Sequence, residues 1–177
     1  VTTAPDVHFR AATPADEDLL WRFLSLASYT EDLAVLKASP IAARHVEGWA
    51  EGRAGDLGVI AEDGEGRALG ACWSRWLDPA GSPYAEVQAR APDLALAVGP
   101  EARGKGLGEA LLRALIALGL DQTPPVTAHC LNVRSTNATA RRLYERVGFR
   151  DVPGAGVVNL AGGISLIMEW RQDRPPK

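Results

Sequence analysis

The segment Val98-Gly99-Pro100-Glu101-Ala102-Arg103-Gly104-Lys105-Gly106-Leu107-Gly108-Glu109 has the residue types and spacing of an anion cradle. Gly104, Gly106 and Gly108 let the backbone approach a ligand closely and take positive φ where a turn needs it. The N–H groups of such a turn converge with the free N–H groups that open a helix, and the helix dipole makes that point electropositive. Arg103 and Lys105 add two formal cations. The chemistry implied is capture of a phosphate or diphosphate.

Three phosphate-binding loops share features with this segment. Gly99 to Lys105 fits the GxxxxGK of a nucleotide-hydrolase loop, but Gly106 stands where the magnesium-binding hydroxyl is required. Gly104 and Gly106 begin a dinucleotide GxGxxG, but Glu109 occupies its third glycine position and sets a carboxylate near the phosphates. RxxGxG is satisfied in full by Arg103, Gly106 and Gly108.

A second constellation follows about thirty residues on, from Asn137 to Phe149. Ala140, Leu143, Tyr144 and Val147 recur at helical spacing. Ser135, Thr136 and Asn137 are N-cap candidates, and Gly148 is a C-terminal stop. The run reads NxxAxxLYxxxGF. Together with RxxGxG, it resembles the paired signatures of the GNAT superfamily of N-acetyltransferases. The resemblance covers residues 57 to 150 well and the flanks in outline.

The resemblance implies acetyl-CoA as co-substrate, no metal, and an amine as the acceptor attacking directly. It implies that Arg103, Gly104, Lys105, Gly106, Leu107 and Gly108 hold the diphosphate, and that Asn137 reaches the pantetheine arm. It also implies that Tyr144 protonates the departing thiolate. Each of these residues has a plainer reading. Tyr144 is equally a core aromatic, which is compatible with a hydroxyl aimed at the sulfur. Asn137 is equally a helix cap. Lys105, Arg141 and Arg142 are equally solvated charges or contacts to the adenosine 3′-phosphate.

Acetyl transfer from a thioester to an amine needs a neutral amine, a stabilised carbonyl oxygen and a protonated leaving sulfur. A phenol, with an ordinary pKa of about 10, can donate to a thiolate whose conjugate thiol lies at about 8.5. For the oxygen, a main-chain N–H at Leu96, Ala97 or Val98 is expected, because Gly99-Pro100 ends regular pairing. For the base, Glu86 is the first choice, with Asp93 as the other carboxylate. His129 reads as packing and His45 as surface. A CoA-binding module that senses or docks without turnover is the alternative function.

The elements that position these groups follow from patterning. Val7 to Arg10 reads as a strand; a helix then begins at Thr13-Pro14 and runs to about residue 28. A second helix is expected from Ser39-Pro40 to about Glu51. Strands are expected at 57–61, 68–76, 93–98, 126–133, 157–160 and 164–170, with Tyr84 to Ala89 strand-like. Trp73 and Trp76 fall on opposite faces of a regular strand, so one is expected towards the acceptor. Leu107, Ala110, Leu111, Ala114, Leu115 and Leu118 form one apolar helix stripe. The expected class is α/β (α+β), with the GNAT fold implied by the resemblance: a mixed, mostly antiparallel sheet of six to seven strands. About four helices flank it, and the central parallel strands splay apart to admit the pantetheine arm.

The chain has 177 residues, read as a single domain over 1–177 with 171–177 a frayed, proline-rich tail. Nineteen Lys and Arg against 22 Asp and Glu give a formal net charge of −3, which argues against a nucleic-acid partner. Cys72 and Cys130 form no CxxC and read as reduced thiols. No apolar run spans a membrane, and no secretory leader pattern opens the chain. A cytoplasmic monomer or homodimer is the expectation.

Overall fold

The computed structural model describes residues 7–30, 32–159 and 162–173. Seven strands form one sheet: β1 (His8–Ala11), β2 (Leu57–Glu62), β3 (Ala68–Arg75), β4 (Asp93–Val98), β5 (Ala128–Arg134), β6 (Arg150–Val158) and β7 (Ile164–Arg171). Their spatial order is β1-β2-β3-β4-β5-β7-β6. All neighbours are antiparallel except β4 and β5, which are parallel. The expected mixed, mostly antiparallel sheet with a central parallel pair is therefore present.

Two helical layers cover the sheet. On one face lies α1 (Glu17–Ser28), followed by the short helices α2 (Leu33–Ala38) and α3 (Pro40–Ala43). Leu20, Phe23 and Leu24 of α1 pack on Ala71, Trp73, Ala95 and Ala97, small or flat residues that let the helix approach β3 and β4. On the other face lie α5 (Leu107–Leu120) and α6 (Ala138–Val147). Leu111, Leu112 and Leu115 of α5 pack there on Cys72 and Leu94, with Leu131 and Tyr144 in the same cluster. The two-residue alternation of β4 thus sends Leu94, Leu96 and Val98 towards α5, and Ala95 and Ala97 towards α1.

Three expected elements differ. The helix from Ser39 to about Glu51 ends at Ala43, and Trp49–Glu51 is a separate 3-10 turn flanked by Gly48 and Gly52 at φ +70 and +66. Two more distant residues shape the intervening turn. Trp73 Nε1 donates to His45 O at 3.0 Å, and the buried Arg75 donates to Glu47 O at 2.8 Å and Arg44 O at 3.3 Å. Tyr84 to Ala89 is not a strand but the one-turn helix α4 (Ala85–Gln88). The edge strand β6 begins at Arg150, earlier than expected; the expected strand end at Leu160 lies outside the described residues. Arg171 belongs to β7, and Gln172 N donates to Thr127 O at 3.0 Å, so the expected fray does not begin at 171. Residues 174–177 are outside the described range.

Candidate active site

A cavity of about 870 Å³ opens where β4 and β5 part. Among the described residues these strands share one register pair, Asp93 with Cys130, and Cys130 N donates to Pro92 O at 2.9 Å. On its other edge β5 pairs along its whole length with β7. Gly99 N donates to Leu69 O at 2.8 Å, so the alternation of the β3–β4 ladder turns the main-chain groups of Leu96 and Val98 away from β3 and into the gap. Leu96 and Val98 also line the cavity, whereas Ala97 packs towards α1 and does not.

The loop at the cavity's mouth has the geometry of an anion cradle. Gly104 and Gly106 take φ +74 and +80, and a Cβ on either would meet nothing within 4 Å. Open space therefore lies against the loop backbone. No acceptor among the described residues is bonded to the amides from Gly104 to Glu109, which include the first three of α5. Gly108 has a different role: a Cβ there would come within 3.0 Å of Leu143 Cδ1, so the glycine lets α5 approach α6. Arg103, Gly104, Gly106, Leu107 and Gly108 all line the cavity. Lys105 does not; its Nζ turns back to Glu101 O at 3.0 Å. The residues present suit a diphosphate: unpaired amides, a helix start and a backbone left open by glycine.

Tyr144 projects from α6 into the same cavity, buried, with its ring tilted against Phe149 at 5.7 Å. Burial first, and then the neighbouring Cys72 and Tyr29, push its pKa above the ordinary tyrosine value, so the hydroxyl remains a proton donor at neutral pH. No hydrogen-bond acceptor for it is present among the described residues. Asn137 caps α6 by accepting from Ala140 N at 3.1 Å, and its amide donates to Tyr29 Oη at 3.1 Å. The cap reading of Asn137 therefore holds, and the residue also lines the cavity.

The acceptor side differs from expectation. Glu86 is exposed on α4 and does not line the cavity, because α4 turns Val87 and Gln88 inward and Glu86 out. Asp93 is buried and accepts from Tyr84 Oη and Gln88 Nε2, both at 2.7 Å. His129 is wholly buried beside Trp170, as its packing role requires. Trp73 is buried in the core and Trp76 lies beyond β3, and neither reaches the cavity. His45, read from sequence as a surface residue, is instead buried and lines the cavity. Burial lowers its pKa below 6.5, with Asp93 opposing, so the ring is predominantly neutral at pH 7. The available sequence signal was indirect: the carbonyls of its turn are held by Trp73 and Arg75, far along the chain.

Among the described residues no His, Cys, Asp or Glu cluster could hold a metal ion, and no helix is long and apolar enough to cross a membrane. Both cysteines are free and buried.

Residues 19–149 match the model of the acetyltransferase (GNAT) family, and the chain belongs to that family. A mycothiol acetyltransferase of Salinispora tropica is 34% identical over 149 residues, covering 82% of this chain and 45% of the relative. The enzyme of the same name from Acidimicrobium ferrooxidans is 29% identical over 146 residues, covering 80% and 43%. The chain thus spans less than half the length of these curated relatives. In fold it is similar to a ribosomal-protein-alanine N-acetyltransferase from Brucella melitensis. There the TM-score is 0.67 at 24% identity, covering 93% of this chain and 99% of that one. Mutant forms of the spermidine/spermine N-acetyltransferase SpeG from Vibrio cholerae superpose with a TM-score of 0.63 at 17% identity, covering 94% and 95%.

Proposed function

We propose that this chain moves the acetyl group of acetyl-CoA to an amine by direct attack. One observation carries the reading. A cavity opens between strands that part after a single register pair, with unpaired glycine-loop amides at one end and the Tyr144 hydroxyl inside. The amides from Gly104 to Glu109 hold the diphosphate. The main-chain N–H groups of Leu96 and Val98 face the gap, where they can bond the pantetheine arm and the thioester oxygen as charge develops on it.

The proton transfers fall to two residues from opposite faces of the sheet. His45, neutral and on the α1 side, accepts the proton that leaves the amine nitrogen as its bond to the acetyl carbon forms. Tyr144, on the α6 side, donates to the sulfur as the carbon–sulfur bond breaks. His45 replaces Glu86 as the base because it lines the cavity and Glu86 does not.

The test is thiol release from acetyl-CoA across a panel of amines, alongside the melting temperature with CoA and with ATP. Release with at least one amine, and stabilisation by CoA but not ATP, is the expected result. Tight CoA binding with no release from any amine would favour a sensing or docking module instead.

A further inference from the structure

We propose that Arg44 binds a carboxylate on the acceptor, so that the amine acetylated by this chain belongs to an amino acid or a small derivative whose amine and carboxylate lie a few bonds apart. That this molecule is an acceptor rests on the acetyl-transfer reading; the carboxylate site itself does not.

Arg44 follows α3 and lines the cavity next to His45. Its backbone is fixed, since its carbonyl accepts from Arg75 Nη1 at 3.3 Å and that of His45 accepts from Trp73. Its Nε is fully shielded from solvent and has no acceptor. No carboxylate among the described residues pairs with its guanidinium, whereas Arg10, Arg75 and Arg90 each hold one at 2.7–2.8 Å. The side chain as a whole is only half-buried at the cavity wall; a shielded donor N–H left unmatched is costly, and a small rotation of the guanidinium onto a ligand oxygen removes that cost.

The charge lining the cavity points the same way. Its acidic side chain among the described residues is Glu109, already shared by Arg113 at 2.9 Å and Arg146 at 3.2 Å. Asp93 lies behind the wall; Tyr84 and Gln88 take one oxygen, the other has no partner among the described residues, and its charge is felt at His45 but does not line the cavity. A polycation finds no acidic side chain lining the acceptor end. The arginines by the glycine loop, Arg103, Arg142 and Arg146, sit on the α5 and α6 side, where the diphosphate binds. Arg44 sits across the sheet, in the turn held by Trp73 and Arg75. Arg134 also reaches that side, but its Nη2 donates to Ser28 O at 2.9 Å and its Cζ lies 4.7 Å from the centroid of the Tyr29 ring. One uncommitted guanidinium matches one carboxylate, which it can hold with two parallel N–H bonds. A carboxylate there sets the same molecule's amine beside His45.

The common L-amino acids and their α-carboxamides are titrated singly by calorimetry into the CoA-bound protein, with phosphoethanolamine as a third probe. At least one acid should bind about tenfold or more tightly than its amide. Arg44→Gln should erase that margin while leaving CoA affinity unchanged, and Arg44→Lys should keep part of it. Amides that bind as well as acids overturn the proposal, as does an acid preference that survives Arg44→Gln, or tighter binding of phosphoethanolamine. Should Arg44→Gln not fold, the acid–amide comparison in the native protein still decides. Thiol release with simple amines as fast as with any acid keeps the acetyl-transfer reading and removes this one. Acid binding lost in Arg44→Gln, with no release from any amine, does the reverse.

Discussion

Asp93 and Cys130 face each other at the apex of the opening between β4 and β5, and both are anchored there. Asp93 Oδ2 accepts from Tyr84 and Gln88 at 2.7 Å, while Cys130 donates its amide to Pro92 O and its thiol to Ala91 O at 3.4 Å. The Cys130 bonds tie β5 to the residues that lead into β4, and the Asp93 bonds tie β4 to α4 and the residue before it; past this pair β5 keeps β7 on its other side and no longer pairs with β4. The opening is therefore a fixed wedge rather than a frayed edge. Main-chain groups on its β4 wall can face a ligand without breaking any pairing.

Gly106→Asp should weaken CoA binding by at least about tenfold, because a carboxylate enters the space beside the diphosphate. Gly106→Ala separates charge from backbone strain. It carries the same unfavourable φ of +80, at a cost of about 1 kcal/mol, with nothing within 4 Å to clash. Calorimetry should show most of the affinity retained in the alanine variant. Equal affinity in the folded aspartate variant would place the diphosphate elsewhere.

Tyr144→Phe should lower kcat by about 10- to 100-fold and leave CoA affinity nearly unchanged. The ring contact with Phe149 survives, and the hydroxyl has no acceptor to lose among the described residues. Stability should therefore change by less than about 0.5 kcal/mol. Stopped-flow thiol release and a denaturant titration check both. A change confined to KM would remove the acid role.

What was legible in the sequence was local. The glycine loop, the α5 stripe, and the Asn137 cap and Gly148 stop of α6 each depend on residues within a few turns of one another, so their spacing identified them. The acceptor wall was not legible, because it is assembled from afar. His45 looked like the surface of a continuing helix, and nothing in the sequence singled out Arg44. They face the cavity because Trp73 and Arg75 capture the carbonyls of their turn. Glu86 failed for the converse reason. Period-two reading put it on a strand beside the cleft, but the chain makes one helical turn there and buries Val87 and Gln88 instead.

Acid should destabilise the fold through His129. Neither ring nitrogen has a partner, and burial pushes its pKa from 6.5 to about 4. Between those values the unfolded chain holds a proton that the folded chain refuses. The stability is thus fully present above pH 6.5 and is lost as pH falls towards 4. The loss from this ring between pH 7 and 4.5 is about 2 kcal/mol. His45, shifted in the same direction, adds to it. Urea unfolding at several pH values should show the decline, and His129→Leu should flatten it.

The pH dependence of kcat isolates His45 from the acceptor's own titration, since it reports groups within the bound complex. Burial holds the His45 pKa below 6.5, so the basic form dominates at neutral pH. The rate should be level from pH 7 upward on this limb and fall as pH drops through a value under 6.5. His45→Ala should lower kcat by about 100-fold and abolish the limb, because no neutral imidazole remains to accept the amine proton. Added imidazole should restore part of the rate, with a limb near its own pKa, because the vacated volume opens directly onto the cavity. His129→Leu should keep the native profile, since that ring lies in the core away from the acceptor. An unchanged acid limb in His45→Ala would show that the proton leaves by another route, with His45 serving only to shape the wall beside Arg44.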